Sequence, residues 1–178
     1  MNVMIDLETL GTRPGSIILS VGAVEFGLMG THREFYVEIN QISSMLRGMT
    51  EDESTRLWWS EQGDVAGELL KRTEGYGGIS VDVALREFAA WLPKDPLIWG
   101  NGAAFDNTLL AEAYLRCGQK MPWSYRDDRC YRTLRKLTEA AAIADLEFVG
   151  TLHHALDDAR HQATHAVKIL RHLGRAGI

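Results

Sequence analysis

The chain opens on a short apolar run, Asn2-Val3-Met4-Ile5, that ends at once in Asp6-Leu7-Glu8-Thr9. The period-two alternation of an extended strand puts Asp6 and Glu8 on one face and Leu7 on the other. Two carboxylates side by side at the end of an apolar strand oppose each other, and partial burial penalises both. The fold must leave that strand end open to water or place a cation on it. Hard divalent ions such as Mg²⁺ or Mn²⁺ prefer carboxylate oxygen. Taken alone, the pair reads first as the wet end of a strand, because so short a motif recurs by chance. The rest of the chain decides between the two.

A chain of 178 residues suits one domain, 1–178, with room for a mixed core. No apolar run approaches the length of a membrane span, and Asp6 and Glu8 interrupt any N-terminal signal core. A cytoplasmic location with no membrane partner is the expectation. The 2 cysteines, Cys117 and Cys130, lack metal-type spacing and read as reduced thiols. The net charge of −5 argues against a protein that holds nucleic acid mainly through a basic surface. It leaves open an enzyme that grips a few nucleotides through bound cations, since acidic ligands lower the count until the ions are added back.

Strand signals come first. Ser16 to Phe26 is rich in Ile, Val and Leu, and His32 to Ile39 alternates, so with the opening strand they suggest an antiparallel meander. Thr50-Glu51-Asp52-Glu53 fits a capping box ahead of a helix carrying Leu57, Trp58 and Trp59. Asp64 to Thr73 reads as another helix. Glu74-Gly75-Tyr76-Gly77-Gly78 is a break, either a plain linker or a loop over a site. Ser80 caps a helix through Leu92. Leu97-Ile98-Trp99 is a short strand. A helix from Phe105 to Cys117 turns Leu109, Leu110, Ala113 and Leu115 inward and stops at Gly118. A further helix is expected from Cys130 to Ala144 on the stripe Cys130, Leu134, Leu137 and Ala141. The last runs from Ala155 to Leu173 and closes at Gly174. The order implies an α/β fold: a mixed sheet, antiparallel in its first three strands and then parallel, flanked by helices.

Two more acidic clusters follow the same logic. Asp106 stands at the first turn of a helix just after a strand and a glycine-rich turn, where α/β sheets gather ligands. Alone it is an ordinary helix-start acid. In His153-His154-Ala155-Leu156-Asp157-Asp158, residues five apart do not share a helix face, so His153 belongs to the incoming loop and Asp158 to the first turns of the helix. These residues also read as surface histidines and dipole acids. Three acidic sites at strand ends or helix starts fit a common rim. Four carboxylates with one histidine suggest a two-metal hydrolase acting on a phosphodiester. The ordinary histidine pKa, near 6.5, suits a general base at neutral pH.

Asp6-Leu7-Glu8-Thr9, Gly102-Ala103-Ala104-Phe105-Asp106 and His153-x-Ala155-Leu156-x-Asp158 resemble, in order and spacing, the three motifs of the DEDDh (DnaQ-like) 3′→5′ exonucleases. The resemblance covers essentially the whole chain and implies a ribonuclease H-like fold. It implies that Asp6, Glu8, Asp106 and Asp158 hold two Mg²⁺ or Mn²⁺ ions, with Asp6 bridging, and that His153 is the general base. Spacing selects His153 and Asp158 over His154 and Asp157. The resemblance also implies that Thr9 and Leu10 contact the terminal nucleotide and that Phe105 packs near it. Asn101-Gly102 stands where many members carry His-Asn, a departure that leaves the metal ligands intact and alters the contacts expected at the sugar; Asn101 stands among the candidate substrate contacts. With Trp99, Trp58-Trp59 and Arg129 to Thr133, this looks more like a phage and bacterial exoribonuclease-like or exodeoxyribonuclease-like branch. The expected partners are 3′ ends of single-stranded or overhanging DNA or RNA. Homodimers are common among such relatives.

Arg126, Arg129, Arg132 and Arg135, three apart, read as one side of a helix, either tracking phosphates or forming a solvated face. Trp58, Trp59 and Trp123 read as core or dimer packing, with base stacking the alternative. Two other readings compete for the whole chain. One is a nucleic-acid-binding or accessory module that keeps the fold without catalysis. The other treats Asp6 to Thr12 as a variant phosphatase nucleophile loop of the haloacid-dehalogenase type. Glu8 in place of a second Asp, and the lack of a later lysine motif, weigh against it.

Overall fold

A computed structural model describes residues 1–62, 64–137, 143 and 146–175. Strand β1 (Asn2–Thr9) lies at the centre of a five-stranded sheet of order β3-β2-β1-β4-β5. On one side β2 (Ile18–Gly27) pairs antiparallel with β1, and β3 (Gly30–Glu38) pairs antiparallel with β2. On the other, β4 (Leu97–Gly100) runs parallel to β1, and β5 (Asp128–Cys130) parallel to β4. This is the mixed sheet the strand and helix order implies, extended by β5. Three residues without alternation carry no strand signal of their own.

The two faces of β1 build two cores. Val3, Ile5 and Leu7 join Val21, Leu85, Phe88, Leu109, Leu110 and Ala113. Met4 joins Val24, Phe26, Trp99, Tyr131, Ala159, Ala163 and Ala166. Asp6 and Glu8 continue the Met4 face and bring carboxylates to the open end of the second core. The first core is covered by α4 (Val81–Trp91) and α5 (Asp106–Arg116). The second is covered by α7 (Ala155–Arg175), whose buried stripe of alanines brings its backbone close to the sheet.

Between β3 and β4 lie α1 (Gln41–Leu46), α2 (Glu53–Glu61) and α3 (Asp64–Thr73). Helix α1 was not foreseen. Asn40 caps it by accepting the Ser43 amide at 2.8 Å. The capping box expected at Thr50 does not form. The Thr50 backbone is used in a bridge, donating to Gly15 O and accepting from Ile17 N, so Asp52 takes the cap position of α2. Ser80 precedes α4 without a side-chain cap bond. The Val81 amide donates instead to Ser43 Oγ at 2.9 Å.

Other expectations shift as well. Leu115 is 72% exposed, and Tyr114 takes the inward place, its hydroxyl donating to Leu85 O at 2.8 Å. Helix α6 covers only Tyr131–Arg135, Leu137 is exposed, and Ala141 lies outside the described residues. Helix α7 runs through Gly174. The arginine row does not share one helix: Arg126 lies in a 3-10 turn (Tyr125–Asp127), Arg129 in β5, and Arg132 and Arg135 in α6. Both cysteines are free thiols. No helix among the described residues is long and apolar enough to cross a membrane.

Candidate active site

Asp6, Glu8 and Asp158 each offer an oxygen, and these atoms lie within 4.8 Å of one another. Two strands and a helix produce this. In the β1–β2 register, Asp6 stands opposite Gly22 and Glu8 opposite Ser20. A Cβ on Gly22 would sit 2.2 Å from the carbonyl carbon of Ala155 and 2.3 Å from the amide nitrogen of Leu156. Only glycine lets the first turn of α7 settle on the sheet there. That contact aims Asp158, three residues on, at the β1 acids. One turn further, Gln162 Nε2 donates to Asp6 Oδ1 at 2.8 Å.

Asp106 begins α5 on the other side of β1, only 3% exposed. Its carboxylate accepts backbone bonds from Leu7, Asn101 and its own amide. It lies outside the three-oxygen cluster, yet its charge acts on both Asp6 and Glu8. The Asn101 carbonyl accepts from Arg132, whose guanidinium lies against Gly102.

Burial dominates the electrostatics. It holds Asp6 well above the usual carboxylate range, with the charges of Asp106, Glu8 and Asp158 adding and the Gln162 bond opposing. Glu8 rises from 4.5 to about 8, again through burial first and then the charges of Asp158 and Asp106. Burial lifts Asp106 from 3.8 to about 7 against its backbone bonds and the Arg132 charge. Asp158 is raised by burial and eased by His153. Four acids in this state are short of positive charge, the condition a hard divalent cation relieves.

His153 precedes α7 in a left-handed turn at φ 59°. Its ring meets Trp58 edge-on at 4.9 Å and Trp59 at 6.3 Å. The neighbouring candidates face elsewhere. His154 stacks on Tyr36 at 4.5 Å, and Asp157 accepts from Arg160 at 2.6 Å and from the Thr151 amide at 2.9 Å.

Beside the acids opens a cavity of about 410 Å³, lined by Leu7, Glu8, Thr9, Trp58 and Phe105 among others. Thr9 and Phe105 therefore face it, as does Trp58. Leu10 does not: it is fully buried, its amide donating to Ile17 O and its carbonyl accepting from Asp52 N. Trp59 is buried, and Trp123 packs into the first core. Sequence reasoning missed Gln162 and Gly22. Each had a signal: Gln162 is one helical turn after Asp158, and Gly22 interrupts an otherwise apolar strand.

A family model described as the 3′-5′ exoribonuclease Rv2179c-like domain matches residues 1–170. No curated protein matches the chain. Among solved structures, the nuclease domain of 3′hExo, a DEDDh family member bound to rAMP, is similar with TM-score 0.63 and 12% identity. The match covers 96% of this chain and 91% of that one. Cell-death related nuclease 4 (CRN-4) is similar with TM-score 0.52 and 10% identity over 95% of this chain, which spans 64% of that protein. At such identities the likeness is one of fold, the ribonuclease H-like fold. On the match of the family model to residues 1–170, the chain belongs to the Rv2179c-like 3′-5′ exoribonuclease domain family and is a 3′-5′ exonuclease.

Proposed function

We propose that residues 1–178 form one exonuclease domain that removes nucleoside 5′-monophosphates from the 3′ end of single-stranded or overhanging nucleic acid. The observation that carries this is the convergence of Asp6, Glu8 and Asp158 oxygens within 4.8 Å beside a cavity of nucleoside size. The donor set is all carboxylate oxygen, which fits Mg²⁺ or Mn²⁺ and disfavours soft metals. Asp6, Glu8, Asp106 and Asp158 would hold two such ions. Bound there, the ions supply positive charge to the attacking and leaving oxygens of an in-line displacement at phosphorus.

The chain's own residues do the rest. Leu7, Thr9, Trp58 and Phe105 receive the terminal nucleoside and hold its phosphodiester at the acids. The rAMP bound by the similar 3′hExo domain supports this use of the cavity. Asn101 meets Asp106 through its backbone amide, and its side chain is the proposed contact to the sugar. His153 takes the proton from the attacking water, at the rim where its loop meets the start of α7. The backbone bonds to Asp106 hold that carboxylate in place before substrate arrives.

Purified protein incubated with matched DNA and RNA oligonucleotides, with and without Mn²⁺, tests the reading. Nucleoside 5′-monophosphates should accumulate only with metal. Binding of the oligonucleotide with no metal-dependent product would instead mark a silent module of the same fold.

A further inference from the structure

In the proposed reaction His153 must present one ring nitrogen to a water. A general base is commonly oriented by a hydrogen bond to a carboxylate or a carbonyl. Among the described residues, no such bond reaches the His153 ring. Its backbone adopts a left-handed conformation, φ 59°, uncommon for a non-glycine residue though more accessible to histidine than to most.

The groups against its ring are aromatic. Trp59 is buried, and its Nε1 donates at 2.8 Å to the carbonyl of Thr9, the residue after Glu8. Trp58 stands edge-on to Trp59, with centroids 5.4 Å apart at 84°, and edge-on to His153, 4.9 Å apart at 85°. A row of three rings thus ties the loop before α7 to the strand that carries the acids. Trp58 remains 40% exposed and walls the cavity. A tryptophan serving the core alone would be buried, and one serving only to stack a base would not be committed to the histidine. We infer that Trp58 is the positioning residue of the reaction: it sets the angle and distance of the His153 imidazole relative to the acids while its remaining surface meets the terminal nucleoside. This rests on His153 being the proton acceptor.

Steady-state kinetics of Trp58→Ala and Trp58→Phe, in wild-type and His153→Ala backgrounds, test it together with the His153 ring resonances in ¹H–¹³C spectra. Misplacing a catalytic group costs up to about 100-fold, so Trp58→Ala should lower kcat on the order of 10- to 100-fold, with Trp58→Phe recovering most of it. In the His153→Ala background the same change should cost kcat far less, because the group being positioned is gone. The ring resonances, identified by their loss in His153→Ala, should move when the indole is removed. A KM increase with kcat intact, additive losses in the two backgrounds, or unmoved resonances would each overturn the positioning role while leaving His153 as base. A near wild-type kcat for His153→Ala would remove the base and the positioning role together.

Discussion

Gln162 donates to Asp6 at 2.8 Å from a buried position on α7, and it fixes one of the carboxylates that would hold the ions. Groups that orient a metal ligand typically account for about 10–100-fold in metal affinity. Gln162→Leu, which keeps the volume and removes the donor, should weaken Mn²⁺ binding by that order in a calorimetric titration. Wild-type affinity in that variant would exclude the role. His153→Ala should lower the rate by about 10²–10⁴-fold, the usual contribution of a general base, in single-turnover assays. At this scale the motif residues were legible because their chemistry is unusual: acids on an apolar strand, and a histidine five positions before an acid. Gln162 was not, because its one signal, a place one helical turn after Asp158, acquires meaning only when the helix is set against β1. The family resemblance implies a nucleotide contact at Leu10, but the chain turns inward after β1 and takes its side chain into the core.

Helix α7 delivers Asp158 and Gln162 from the far end of the chain, and Gly22 sets its height over the sheet. A Cβ at Gly22 meets backbone atoms of Ala155 and Leu156, which cannot rotate away as a side chain would. Forcing an extra methyl into packed backbone typically costs about 1–3 kcal/mol. Gly22→Ala should therefore lose stability of that order in urea denaturation and should also weaken Mn²⁺ binding. Gly27→Ala in the same strand is the control, since its Cβ would lie 3.6 Å from His32 in ordinary contact. A Gly22→Ala protein indistinguishable from Gly27→Ala would show that α7 is not held at this height. Long periodic elements such as β2, α4 and α7 were readable from hydrophobic spacing alone. The short ones were not. Helix α1 has six residues and β5 three, and their existence depends on Asn40 as a cap and on β4 as a partner. The capping box at Thr50 failed for the same reason, because a bridge to Ser16 claims its backbone.

The whole molecule carries a net charge of −5, and its buried acids make the metal-free fold sensitive to pH. Glu8 rises from 4.5 to about 8 and Asp106 from 3.8 to about 7 on folding. Both bind protons more tightly in the folded than in the unfolded state, so stability is greatest below the unfolded values and falls as pH rises through that window. In EDTA, Tm should decline between about pH 5 and about pH 8, and Mn²⁺ should raise it most at the alkaline end, where the acids are ionised and bind the cation best. A flat profile would mean the acids are not buried as described. At this scale the mixed sheet was legible from element order, whereas the central place of the acids' strand follows from the pairing of β4 on β1. The closeness of the three oxygens follows from the packing of α7 and could not be counted from spacing. The most direct test of the account follows a 5′-labelled single-stranded RNA, with Mn²⁺, in wild type and in Asp6→Ala and Asp158→Ala. The account predicts stepwise shortening from the 3′ end by the wild type, lost in EDTA and in both variants. Shortening that survives either substitution would contradict it.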